Sequence, residues 1–302
     1  MQRARWLSGN RGPRITIAVM TRTVLLALDT STEFCSVALL SATVDAAGAS
    51  ASEPRTWVRH EATGAVSSTR LLPAIRELLD EAGLKLADCD AIAFGAGPGS
   101  FTGLRTATGV AQGLAFGLNC PVVPIGTLLA CAESARLRDP SVKRVLAAID
   151  ARMDEVYWAD YAWDDAQGEW RTIQPASLDA PDRLSLPDAL FTLAGNAAAA
   201  FGARLVATTA AQVIDDEALP HALPLAFAAL RALRAGRTVP AELAAPEYVR
   251  NKVAQTTAER MADKAEKAAK AEQAAEQAAE SAANQTTNPA SPHPASQGEG
   301  GR

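Results

Sequence analysis

Cysteine and histidine are scarce in this chain, and neither is grouped. Cys35, Cys89, Cys120 and Cys131 make no C-x-x-C pair, and His60, His221 and His293 lie far apart in sequence. Neither a disulfide framework nor a zinc site is indicated, and a reducing cytoplasm is the expected setting. Aromatic residues make up only 5%, and 29 Lys and Arg are outnumbered by 34 Asp and Glu, for a net charge of −5. That balance argues against a protein that holds nucleic acid by itself through a broad basic face, so any RNA contact has to be local or shared with a partner. Long apolar runs are also missing near the start. Ile15 to Met20 is interrupted by Thr16 and is too short for a signal-peptide core, so no membrane anchor or transit peptide is expected.

Common catalytic signatures are missing too. The glycines around Pro98 are not followed by the Lys-Ser or Lys-Thr of a Walker loop, and Ser100 stands where a dinucleotide fingerprint needs a third glycine. Pro98, two residues before Ser100, rules out a G-x-S-x-G elbow. No nearby base offers itself to Ser100 as a nucleophile, so that serine reads as a helix cap. No catalytic residue and no metal ligand is assigned.

What is present centres on Phe94 to Gly117, FGAGPGSFTGLRTATGVAQGLAFG. An apolar strand at Ala91 to Phe94 is expected to break at Gly95, Gly97, Pro98 and Gly99 and to lead into a helix capped by Ser100 or Thr102. Backbone N–H groups converge at such a corner, which suits an anion. Gly109, Gly113 and Gly117 recur every four residues, so one face of the helix is bare and another backbone can approach it closely. Upstream, a strand at Val24 to Leu28 ends in Asp29, Thr30, Ser31 and Thr32, and a second strand follows near Phe34 to Leu40. Such a turn can hold a metal-bound phosphate or satisfy its own amides; the residues alone leave both uses open.

This hairpin has an echo. VLAAID (Val145 to Asp150) repeats VLLALD (Val24 to Asp29), and another strand, Val156 to Tyr161, follows. The repeat implies two related lobes, the arrangement of actin-like ATPases and sugar kinases. In the second copy Ala151, Arg152 and Met153 replace the hydroxyl turn, so half of a phosphate grip is lost. Between the copies, Ser67 to Ala82 reads as an amphipathic helix with Leu71, Leu72, Ile75, Leu78 and Leu79 along one side, and Thr127 to about Arg138 as another. Later come a strand and turn at Leu190 to Asn196 and a helix at Ala222 to Ala235 ended by Gly236. The expected division is a dispensable arginine-bearing leader at 1–22, with Met20 as an alternative start, a first lobe at 23–130, and a smaller second lobe at 131–257 with a returning C-terminal helix. Residues 258–302 read as an Ala/Glu/Lys-rich helix and then a Pro/Ser/Gly-rich disordered tail.

LALDTSTEFCSVAL (Leu26 to Leu39), GPGSFTGLRTATGVAQGLA (Gly97 to Ala115), VLAAIDARMDEVYWADY (Val145 to Tyr161) and PEYVRNKVA (Pro246 to Ala254), in that order, resemble the bacterial TsaB family, also called YeaZ. The resemblance implies an α/β, actin-like (ASKHA, RNase H-like) duplicated two-lobe fold with mixed sheets flanked by helices. It further implies a noncatalytic scaffold that pairs with TsaD and the ATPase TsaE to place threonylcarbamoyl on the adenosine beside the anticodon of ANN-decoding tRNAs. On this reading tRNA is met through the complex, the chain can form a homodimer when alone, and ATP and metal belong to its partners. TsaD-like proteins hold a metal with two histidines on a first-lobe helix; the comparable helix here has Ser67, Ser68, Thr69 and Arg70. The family puts the partner contact on two first-lobe helices, which nominates Leu71, Leu72, Ile75, Leu78, Thr102, Arg105, Gly109, Gln112 and Gly113. Asp29, Thr30, Ser31, Gly97, Gly99 and Ser100 would be a vestigial phosphate loop, of use if nucleotide binds at a shared interface. The alternatives of other classes are an active kinase or ATPase of this fold, which predicts nucleotide binding by the isolated chain, and a peptidase, which needs a nucleophile with its base or a metal.

Overall fold

The computed structural model describes residues 21–44 and 52–250. The expectations for most of the leader and for the tail, and the possible start at Met20, lie outside the described residues. The described residues open with β1 (Thr21–Asp29), β2 (Phe34–Val44), β3 (Arg55–Ala62), α1 (Ser67–Ala82), β4 (Ala91–Gly97), α2 (Phe101–Leu118) and β5 (Val122–Gly126). They continue through α3 (Thr127–Arg138), β6 (Arg144–Asp150), β7 (Val156–Asp164), β8 (Glu169–Asp179) and β9 (Thr192–Ala194). The last elements are α4 (Ala197–Phe201), α5 (Ala207–Ala210), β10 (Val213–Asp215) and α6 (Ala222–Arg234).

The duplication read from VLLALD and VLAAID is a duplication of topology. One sheet has the order β3-β2-β1-β4-β5 and the other, read from its far edge, β8-β7-β6-β9-β10. In each, two antiparallel pairings (β1 with β2 and β2 with β3; β6 with β7 and β7 with β8) adjoin two parallel ones. The central strands are continuously apolar because both of their faces are covered. Leu26 and Leu28 of β1 join the cluster under α1 and α2, while Leu25 and Ala27 join the one under α6. Val145, Ala147 and Ile149 of β6 likewise face α3, and Leu146 and Ala148 face the α4–α5 side. Each fully buried leucine of this kind contributes about 2–3 kcal/mol.

The structure departs from the sequence reading in several elements. β1 and β2 are longer than expected, and β3, a mostly polar edge strand, is not foreseen by the sequence reading. β4 does not stop at Phe94 but carries Gly95 and Gly97 as strand residues. α1, in contrast, spans Ser67–Ala82 as expected, with Pro73 inside it. α6 covers the first sheet, packing through Leu225, Ala229 and Leu230 against Leu25, Ala38 and Val123. Gly236 ends that helix with φ 71°, its N–H donating to Leu233 O at 3.0 Å.

Candidate functional site

The residues expected as a phosphate loop are brought together, but they face one another. Thr30 Oγ1 donates to Gly103 O at 2.6 Å, and Ser31 donates to Asp29 Oδ1 through both its amide (3.0 Å) and its hydroxyl (2.9 Å). Ser100 N donates to Ser31 O at 2.8 Å, and Ser100 Oγ caps α2 by accepting from Gly103 N at 3.4 Å; Thr102 is not the cap. The glycines are what allow this closeness. A Cβ at Gly95 would strike the Asp29 carboxylate, one at Gly99 would strike Ser31, and one at Gly103 would strike the Thr30 carbonyl. The corner is thus filled by backbone, and its hydroxyls are already bonded. Glu247 N reaches Ala96 O at 2.7 Å, and the Glu247 carbonyl lies where a side chain on Gly97 would be.

Asp29 is the exception to this satisfaction. It is buried, its Oδ2 has no hydrogen-bond partner, and burial pushes its carboxyl up to about 6 against the two Ser31 hydrogen bonds. In the second lobe the equivalent turn is self-bonded as well: Arg152 N donates to Asp150 Oδ1 at 2.8 Å and Ala151 N to Glu155 O at 2.9 Å. Arg152, Met153 and Asp154 are left-handed in succession, with φ of 63°, 55° and 63°. Non-glycine residues rarely adopt that conformation even singly. No group of three or more His, Cys, Asp or Glu able to hold a metal occurs among the described residues. At the N-terminal end of α1, Arg70 is paired with Glu61 and Glu77. A cleft of about 450 Å³ lies elsewhere, lined by Leu129, Trp170, Arg231 and Val239, and includes none of the corner residues.

The two helices nominated for partner contact divide by face. Leu71, Ile75 and Leu78 are 0%, 4% and 0% exposed and sit in the core under the first sheet, so they hold α1 in place and are not partner contacts; Leu72 alone of the four points outward, at 53%. The stripe stood out in sequence because leucines at helical spacing mark a buried face, and that face is turned to the protein's own sheet. On α2 the buried line is Leu104, Ala107, Ala111 and Ala115, while Gly109, Gly113 and Gly117 are exposed, with nothing within 4 Å of where their side chains would stand. The close packing expected on those glycines is therefore made by no described part of this chain. Thr102 and Arg105 are also exposed. Gln112 is half-buried and donates to Ala244 O at 2.7 Å, so it holds the C-terminal segment. The sequence reading missed Phe116, 80% exposed between Gly113 and Gly117, and Val66, 57% exposed before α1. An aromatic residue beside a bare glycine face was the available signal for the first.

Against known proteins, residues 61–293 match the family model "TsaD: tRNA N6-adenosine threonylcarbamoyltransferase". The Escherichia coli (strain K12) "tRNA threonylcarbamoyladenosine biosynthesis protein TsaB" is 37% identical over 236 residues, covering 76% of this chain and 96% of that protein. The chain belongs to the TsaB family. A TsaB from Haemophilus influenzae is also 37% identical, over 78% of this chain and 96% of its own length. The solved YeaZ from Pseudomonas aeruginosa is 42% identical with a TM-score of 0.65, covering 75% of this chain and 99% of that one. TsaB membership and the mixed double-sheet topology together carry the actin-like fold. A further P. aeruginosa structure, 42% identical with a TM-score of 0.66, is described as having "similarity to peptidase YEAZ". In this TsaB-family chain Ser100 accepts a helix-capping hydrogen bond.

Proposed function

We propose that this chain is a noncatalytic scaffold for threonylcarbamoyl transfer to the adenosine beside the anticodon of ANN-decoding tRNAs, acting in the cytoplasm. The observation that carries the reading is the outer face of α2, where Gly109, Gly113 and Gly117 lie bare beside the exposed Phe116. Three glycines in one helix cost about 1 kcal/mol each relative to alanine, and nothing among the described residues uses the space they leave. A second helix can approach such a face at the short distance that small residues permit. The partner is a TsaD-type catalytic subunit, with Leu72 of α1, Thr102 and Arg105 extending the contact; a TsaE-type ATPase and tRNA join through that complex. With no partner present, the same face pairs two copies of the chain. Nucleotide and metal are held by the partners, because the corner that would grip a phosphate is closed on itself by Thr30, Ser31 and Gly103. No helix among the described residues is long and apolar enough to cross a membrane.

The test is transfer of labelled threonine to tRNA with a TsaC-type enzyme, TsaD, TsaE, ATP and bicarbonate, with and without this chain. Label is expected only in its presence. Equal labelling without it overturns the scaffold reading, and nucleotide binding by the isolated chain then becomes the leading alternative.

A further inference from the structure

The seven residues 244–250, which follow a 3-10 turn at Ala241–Leu243, run across both lobes. At their start, Ala244 O accepts from Gln112 Nε2 at 2.7 Å, and Glu247 N donates to Ala96 O at 2.7 Å. Next, the Tyr248 hydroxyl accepts from Arg105 Nε at 2.9 Å while its ring lies 5.5 Å from that of Phe101, and the Arg105 guanidinium lies 3.9 Å over the Phe101 ring. All of these groups belong to β4 and α2 of the first lobe. The segment then changes sides. Val249 packs into the core of the second sheet, and Arg250 Nη2 donates to Ala151 O (3.0 Å), Arg152 O (3.4 Å) and Glu155 Oε2 (2.6 Å). Its Nη1 lies 3.1 Å from Met153 Sδ. Arg250 therefore bonds the two ends of the turn whose three middle residues are left-handed. Such a conformation persists only where its surroundings over-determine it.

We propose that residues 244–250 are an interlobe latch, which holds the 150–155 turn in its left-handed form and couples that turn to the outer surface of α2. Arg105, exposed on α2, is one end of the coupling and Arg250 is the other; Tyr248 joins them. A group that binds beside Arg105 and displaces Tyr248 thereby loosens a turn in the other lobe. A continuous run of hydrogen bonds and packed side chains between two sites is the kind of network that carries such coupling. The inference rests on these contacts and does not depend on the proposed pathway.

Hydrogen exchange of the full chain, read in peptides covering 95–105 and 150–157, tests it. In Arg250→Ala both peptides are expected to exchange about tenfold faster or more, since a charged hydrogen bond to each end of the turn is lost. In Arg105→Ala, an exposed change that touches no atom of the turn, exchange at 150–157 is expected to rise about threefold. The proposal is overturned if Arg105→Ala leaves 150–157 at the wild-type rate, or if the effect of Arg250→Ala is confined to 150–157. Should Arg250→Ala fail to fold, Arg105→Ala decides alone.

Discussion

Asp29 shows how a residue type can be read correctly and its use misjudged. An acid followed by three hydroxyls suggests a ligand for a phosphate or its metal, yet the structure buries the carboxyl under Gly95 with Oδ2 unbonded. Burial raises its pKa from 3.8 to about 6, so the folded chain holds this proton more tightly than the unfolded chain does. Stability from this group is consequently present below about pH 4 and falls as pH rises toward 6, by up to about 3 kcal/mol in all. Asp29→Asn removes the charge, and urea unfolding should find the variant gaining on the wild type between pH 4.5 and 7.5. A variant that instead loses ground at pH 7.5 would mean that the carboxylate is compensated, as by a cation. Glycines sort at this scale too. Gly103→Ala drives a methyl into the Thr30 carbonyl and should cost about 2–4 kcal/mol, whereas Gly109→Ala meets open space and should stabilise the isolated chain by about 0.5–1 kcal/mol. Thermal melts of the two variants, shifted in opposite directions, would separate glycines needed by the fold from glycines kept for something outside it.

At the scale of the element, α1 and α2 each have one face for the fold and one left over. Leu78→Ala should cost about 2–5 kcal/mol, since Leu78 is fully buried. Leu72→Ala should leave stability within about 0.5 kcal/mol and weaken partner binding instead. Gly109→Leu should keep the fold while abolishing co-elution with a TsaD-type partner on size exclusion; full co-elution would remove α2 from the interface. Elements such as α1, α2 and α6 were legible because helical periodicity, a serine cap and Gly236 are local signals. β3 was not, because its Arg, His and Glu residues show no alternating apolar pattern, and only its pairing with β2 makes it a strand. The site was legible in its membership and not in its orientation. Gly99 and Ser100 do meet Ser31, while Gly97 meets Glu247 instead, and that the Thr30 hydroxyl points at Gly103 O and not at a ligand is something spacing does not encode. Leu71, Ile75 and Leu78 failed as partner contacts for a related reason: an apolar stripe says that a face is covered and not by what.

For the whole molecule, the repeat VLLALD and VLAAID was enough to foresee two lobes of one topology, since a central strand covered on both sides has little compositional freedom. How the lobes are joined was not visible, because the joint is made from residues far apart in sequence. Glu133 on α3 is almost completely buried, and its Oε2 accepts from Trp170 Nε1 of β8 at 2.8 Å and from Arg231 Nη2 of α6 at 2.5 Å. One carboxylate thus ties the helix covering the first sheet to a strand of the second. With α6 returning to the first sheet after the chain has built the second, the first lobe is not completed until the second has been made, and the described unit should unfold in a single transition. Tryptophan fluorescence, weighted toward the second sheet by Trp158, Trp163 and Trp170, should therefore overlay with far-ultraviolet circular dichroism. Glu133→Ala strands Arg231 without its counter-charge and removes the acceptor of Trp170, at a cost of about 2–3 kcal/mol once partial exposure of the arginine is allowed for. If the joint is what makes unfolding cooperative, this variant should melt with the fluorescence transition ahead of the dichroism. If both still coincide at a lower temperature, the apolar packing of α3 against α6 suffices for cooperativity, and Glu133 contributes stability alone.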